Sequence, residues 1–157
     1  MDGGHDMDPR STGVSEILTC RIPGRLEVRD DLIQRILRGV MDYGFQPDPH
    51  FHRLCLDEAI SNAIIHGNHS DPAKTVSVRV FCLEDGWGVE IADEGLGFDW
   101  QAWLQRLNAE LTESGDSGRG IALLLKCCTE VVFLEGGRRV RLIWKGEDRT
   151  ALDQGFS

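Results

Sequence analysis

Glu58, Asn62 and His66 recur every fourth residue in the segment Glu58-Ala59-Ile60-Ser61-Asn62-Ala63-Ile64-Ile65-His66-Gly67-Asn68. On a helix, residues four apart share a face. The three would form a polar stripe on a helix whose remaining positions, among them Leu54, Leu56, Ala59, Ile60, Ala63 and Ile64, are apolar. An asparagine amide oxygen is a hard ligand suited to Mg²⁺, which keeps several waters and takes few protein groups. A carboxylate one turn away can orient or deprotonate a hydroxyl or water attacking a γ-phosphate. The plain alternative is a solvent-facing polar stripe. It loses ground because Ser61 and Asn62 are poor mid-helix residues.

Two glycine-containing segments could complete such a site. Asp93-Glu94-Gly95-Leu96-Gly97-Phe98-Asp99 follows the apolar run Val89-Glu90-Ile91-Ala92. A carboxylate at a strand end can accept a hydrogen bond from an adenine amino group, and Gly95 and Gly97 let backbone approach a base or ribose without a side-chain clash. Gly118-Arg119-Gly120 precedes the apolar Ile121-Ala122-Leu123. Free N–H groups at a helix start, with the helix dipole, favour phosphate, and Arg119 adds charge. Taken alone, these are an ordinary glycine turn and an ordinary loop before a helix. No Gly-Lys-Ser/Thr follows, so this is not a Walker A loop, and there is no βα context for a dinucleotide fingerprint.

The elements that must hold these residues follow from periodicity. Val14 to Ile22 reads as an edge strand ended by Pro23-Gly24, and Leu26 to Tyr43 as an amphipathic helix with Gly44 as its stop. His50 to His66 reads as a second helix, terminated by Gly67-Asn68 and Asp71-Pro72. Thr75 to Leu83 and Trp87 to Ala92 form a hairpin across Glu84-Asp85-Gly86. Trp100 to Leu111 and Ile121 to Cys128 are short helices flanking a polar loop, Thr112 to Gly120, and Glu130 to Leu134 and Val140 to Trp144 are strands joined at Gly136-Gly137. Helices cluster and strands come as antiparallel pairs, which gives an α+β class: a two-layer sandwich with one mostly antiparallel sheet covered by helices on one face.

The 157 residues, 41% of them apolar, suit one domain with one core. The expected division is a disordered tail over 1–13, a domain over 14–146 and a flexible tail over 147–157. A net charge of −9 argues against a bare phosphate backbone as partner, so no direct nucleic-acid binding is expected. The N-terminus has no apolar run, and no stretch approaches a membrane span. The five cysteines, Cys20, Cys55, Cys82, Cys127 and Cys128, lack metal-ligand spacing and read as buried reduced thiols of a cytoplasmic protein. His50, His52, His66 and His69 offer no convincing zinc set. The tryptophans Trp87, Trp100, Trp103 and Trp144 read as core or lid packing.

In combination, order and spacing, these motifs resemble the GHKL ATPases of Bergerat fold, shared by gyrase, heat-shock chaperone, MutL and histidine kinase ATP-binding domains. Within that group the chain looks most like the bacterial anti-sigma factor serine/threonine kinases. The resemblance runs from about Val14 to Lys145. It implies that Asn62 coordinates Mg²⁺, that Glu58 is the base, that Asp93 binds adenine, and that Gly95 with Gly97 and Gly118 with Gly120 are the two glycine boxes around ATP. Trp100 to Ser117 would be the ATP lid. It also implies a sigma factor and a STAS-type anti-anti-sigma protein as partners, and makes a homodimer reasonable. Two features depart from the pattern: Gly137 is followed by Arg138-Arg139 where the family often has Gly-Thr, and the lid is short of positive charge, with Arg106 and Arg119 against Glu110, Glu113 and Asp116. A non-catalytic ATP/ADP-binding regulatory module and a detached histidine kinase ATP-binding domain are the competing expectations.

Overall fold

Strand alternation builds the sheet. Val76, Val78, Val80 and Cys82 point one way from β2 (Thr75–Leu83), and Trp87, Val89 and Ile91 point the same way from β3 (Gly86–Ala92); all seven are buried. The computed structural model describes residues 14–97, 101, 124 and 126–146. Within them a five-stranded sheet runs in the order β1-β2-β3-β5-β4, where β1 is Ser15–Pro23, β4 is Glu130–Leu134 and β5 is Arg139–Lys145. All four pairings are antiparallel. The expected α+β sandwich is therefore present. The expected tails, and the helices and loop between β3 and β4 apart from Gln101, Leu124 and 126–128, lie outside the described residues.

One face of the sheet carries α1 (Arg29–Asp42) and α2 (Phe51–Asn62). Leu32, Ile33, Ile36 and Val40 of α1 are buried, as are Cys55, Leu56, Ala59 and Ile60 of α2. Burial of a side chain of this size is worth about 1.5–3 kcal/mol, so this interface is the main force holding α2 in place. Leu54 departs from the expected apolar face; it is 52% exposed. α1 starts after a short 3-10 turn at Leu26–Val28 and stops where Gly44 takes a φ of 103°. There the Phe45 N–H reaches back to the Val40 carbonyl at 3.2 Å, the wide closing bond of a helix end.

The N-terminus of α2 is fixed by Asp48. Its Oδ1 accepts from the His50 N–H at 2.9 Å and the Phe51 N–H at 2.8 Å. These backbone donors hold the Asp48 carboxyl below its ordinary range. His52, expected to be one of four scattered histidines, is buried under the sheet's tryptophan pair, with ring centroids 5.0 Å from both Trp87 and Trp144. Its Nδ1 accepts from the Asp48 N–H at 2.9 Å, which makes it a core residue. Trp87 and Trp144 are core as expected; Trp100 and Trp103 fall outside the described residues.

The other face of the sheet is held by charge. Glu90 on β3 stands opposite Arg79 of β2 and Arg141 of β5 in register. Its carboxylate lies 2.7 Å from Arg141 Nε, 3.1 Å from Arg79 Nη2 and 3.5 Å from Arg139 Nη1. A buried carboxylate needs such partners, and here they come from both neighbouring strands.

Candidate functional site

The second helix ends differently from the periodicity. After Asn62 the chain widens into a π-helical turn, Ala63–Gly67, in which the Asn68 N–H bonds to the Ala63 carbonyl at 2.9 Å. Such wide turns collect at functional sites. His69 and Ser70 then take left-handed backbone, with φ of 53° and 58°, an uncommon conformation for residues with a Cβ. Gly67 therefore does not end the helix by its own backbone freedom. A Cβ at Gly67 would overlap the Asp93 carboxylate, and a Cβ at Gly95 would overlap the Gly67 carbonyl. These two glycines let the end of α2 and the Asp93 turn meet without intervening side chains. Gly67→Ala should displace the Asp93 carboxyl and destabilise the fold by about 1–3 kcal/mol, the usual range for overpacking; thermal unfolding of the variant checks this.

Asp93 leaves β3 with its N–H donating to the Arg138 carbonyl at 2.9 Å. Its Oδ1 accepts from the Gly95 N–H at 2.7 Å. Among the described residues no donor hydrogen-bonds to Oδ2. Burial pushes the Asp93 carboxyl above its ordinary range, against the Gly95 N–H and the more distant charges of Arg138, Lys74 and His69. Gly97, at φ 84°, packs where a Cβ would overlap the Gly136 carbonyl. The turn between β4 and β5 thus forms the wall beside the Asp93 turn. Arg138 stands in that wall, 3.1 Å from Glu135.

Asn68 locks this assembly. It is fully buried; its Oδ1 accepts from the Glu94 N–H at 2.8 Å and its Nδ2 donates to the Thr75 carbonyl at 3.0 Å. Glu94 closes the ring from outside, accepting from the Thr75 N–H at 2.6 Å and the Thr75 Oγ1 at 2.7 Å. The Thr75 donors hold the Glu94 carboxyl below its ordinary range. Asn68, Thr75, Glu94 and Arg138 were missed as site residues. Asn68 was legible only as part of a helix stop, since its two bonds join segments distant in sequence.

Glu58 and Asn62 are half-buried, one turn apart on α2. Neither side chain has a hydrogen-bond partner among the described residues. Their neighbours are occupied: Arg29 of α1 sets its Nε 2.9 Å from Asp57 Oδ1 and donates from Nη1 to Ser61 Oγ at 2.8 Å. This clamp fixes the rotation of α2 and engages neither Glu58 nor Asn62. His66 is exposed. Through Gly67 the structure brings the chain leaving α2, the helix that carries Glu58 and Asn62, against Asp93 and Gly95, while Gly97 packs on Gly136. Gly118, Arg119 and Gly120 lie outside the described residues, as does the expected lid apart from Gln101. Among the described residues no group of three or more His, Cys, Asp or Glu is arranged to hold a metal.

The family model described as the histidine kinase-like ATPase domain matches residues 46–144. The chain belongs to that family. The match takes in α2, the Asp93 turn and the β4–β5 wall, the parts that meet at the site. The ATPase domain is also similar to two proteins named anti-sigma F factor, from Geobacillus stearothermophilus and Geobacillus kaustophilus, each 37% identical over 82 residues. That stretch is 51% of this chain and 56% of each relative, so the chain spans about half the length of the curated relatives it matches. Family membership implies ATP as the ligand of this domain. No helix among the described residues is long and apolar enough to cross a membrane.

Proposed function

We propose that this chain is an ATP-dependent serine/threonine protein kinase that acts as an anti-sigma factor and phosphorylates a STAS-type anti-anti-sigma antagonist. The observation that carries the reading is the Glu58–Asn62 pair, without hydrogen-bond partners among the described residues, on a clamped helix whose end abuts the Asp93 turn. The names of the two relatives support the choice of partners. The residues fit the ligand chemically. Asp93 offers a half-buried carboxylate with one oxygen uncommitted among the described residues, which suits an adenine amino donor. Asn62 offers an amide oxygen for a hydrated Mg²⁺.

ATP with Mg²⁺ supplies, when bound, a transferable phosphoryl group whose charge the metal offsets. Glu58 orients the attacking hydroxyl and takes its proton. Gly95 and Gly97 keep side chains away from the base, while Gly118, Arg119 and Gly120 serve the phosphates. A cytoplasmic location and a homodimer belong to the same reading. The competing reading, a non-catalytic ATP/ADP module, draws on Arg138, which follows Gly137 where the resemblance has the threonine of Gly-Thr and which pairs with Glu135.

Calorimetry of ATP binding, with and without Mg²⁺, on wild type and Asn62→Ala tests the site. The expected result is micromolar-range binding that Mg²⁺ strengthens in the wild type, with that dependence lost in the variant. Absence of ATP binding by the wild type would remove the kinase reading. Binding without transfer to any STAS partner would favour the non-catalytic module.

A further inference from the structure

The β3–β5 ladder carries Arg138 to the side of Asp93. Ala92 stands opposite Arg139 at the end of that ladder. One residue further out, the Asp93 N–H donates to the Arg138 carbonyl at 2.9 Å. The Arg138 stem then runs along the glycine turn: its Cγ lies 3.4 Å from where a Cβ at Gly97 would stand. Arg138 therefore borders both Asp93 and Gly97, the acceptor and the bare backbone that the ATP reading gives to the base. Burial raises the Asp93 carboxyl, and after the Gly95 N–H the positive charge of Arg138 is the next influence opposing it.

The guanidinium is held in place. Glu135, Gly136 and Gly137 take left-handed backbone in succession, with φ of 51°, 69° and 97°. This folds the turn back so that the Arg138 N–H meets the Glu135 carbonyl at 3.3 Å. The Glu135 carboxylate accepts from Arg138 Nη2 at 3.1 Å and from Arg139 Nε at 2.7 Å. That contact engages one N–H of a planar fork that carries several. A restrained donor loses less freedom when a ligand arrives.

We propose that Arg138 is a base-reading residue: Asp93 accepts from the adenine amino group while the Arg138 guanidinium donates to a ring nitrogen beside that group. The inference rests on the ATP reading of the Asp93 site and holds for the kinase and the non-catalytic module alike. The amino group of adenine is a donor flanked by the ring acceptors N1 and N7. A carboxylate beside a guanidinium offers an acceptor next to a donor, the complement of that edge.

Calorimetry with ATP, 1-deaza-ATP and 7-deaza-ATP, on the full chain as wild type and as Arg138→Met, tests the assignment. Each analogue keeps the amino group and lacks one of the flanking nitrogens. Methionine keeps an unbranched stem against Gly97 and removes the donors. Wild type should bind one analogue about tenfold to a hundredfold more weakly than ATP. Arg138→Met, confirmed folded by circular dichroism, should bind ATP and that analogue alike. Equal binding of all three nucleotides by the wild type would overturn the proposal and leave the ATP site standing. So would a loss on deaza substitution that persists in Arg138→Met. Failure of the wild type to bind ATP at all would remove the ATP reading, and the role of Arg138 with it.

Discussion

Asp93→Asn is expected to stabilise the protein at neutral pH and to weaken ATP binding through the adenine contact proposed for Asp93. The two effects have one cause. Burial raises the Asp93 carboxyl above its value of 3.8 in the unfolded chain. Between that value and the raised native one, the native state binds more protons than the unfolded state. Stability therefore falls as pH rises through the window, and the penalty of the ionised group is fully present above it. An amide carries no such penalty, so the melting temperature of Asp93→Asn should exceed that of wild type at pH 7 and approach it on acidification. Binding moves the other way. The Gly95 N–H already claims an oxygen acceptor at 2.7 Å. The amide oxygen would serve it, turning the NH₂ donors toward the adenine amino group. Loss of a hydrogen bond to a charged group costs about 1.5–3 kcal/mol, or on the order of tenfold to a hundredfold in affinity. Thermal scans across pH and ATP titrations check the pair. A destabilised variant, or one that binds ATP normally, would refute the assignment of Asp93.

Glu58→Ala should lower phosphoryl transfer by about 10²- to 10⁴-fold, the range supplied by a positioned general base, and leave ATP affinity close to wild type. The structure explains why the loss stays local. Rotation of α2 is set by Arg29 on Asp57 and Ser61, and its end is set by Asn68 and Gly67 against the Asp93 turn. None of these contacts involves the Glu58 carboxylate, so its removal leaves Asn62 and Asp93 in place. Label transfer from ATP to a STAS partner, with calorimetry in parallel, separates the two quantities. Transfer retained in the variant would eliminate Glu58 as the base.

The alternation in β2 and β3 and the period of α1 were legible because each reports a single environment, a face turned toward the core. The polar stripe of Glu58 and Asn62 was legible for the complementary reason, as polar residues held at helical spacing. Three things were not. The π turn depends on where Gly67 must meet Asp93, a contact between segments far apart in the chain. The burial of His52 depends on a backbone donor from Asp48 and on two tryptophans from different strands. The role of Asn68 depends on Thr75 and Glu94 arriving together. Periodicity sees faces, whereas these features are junctions.

The edge position of β1 has a kinetic meaning. The β2–β3 and β4–β5 pairs are each joined by a short turn, so they can zip locally. β1 instead pairs with β2 so that Pro23 stands opposite Thr75, enclosing both helices in one long loop. Closing such a loop comes before any reward from its contacts, which makes distant pairing the slow step. The helix bearing Glu58 and Asn62 thus lies inside a long loop whose clasp is an edge strand.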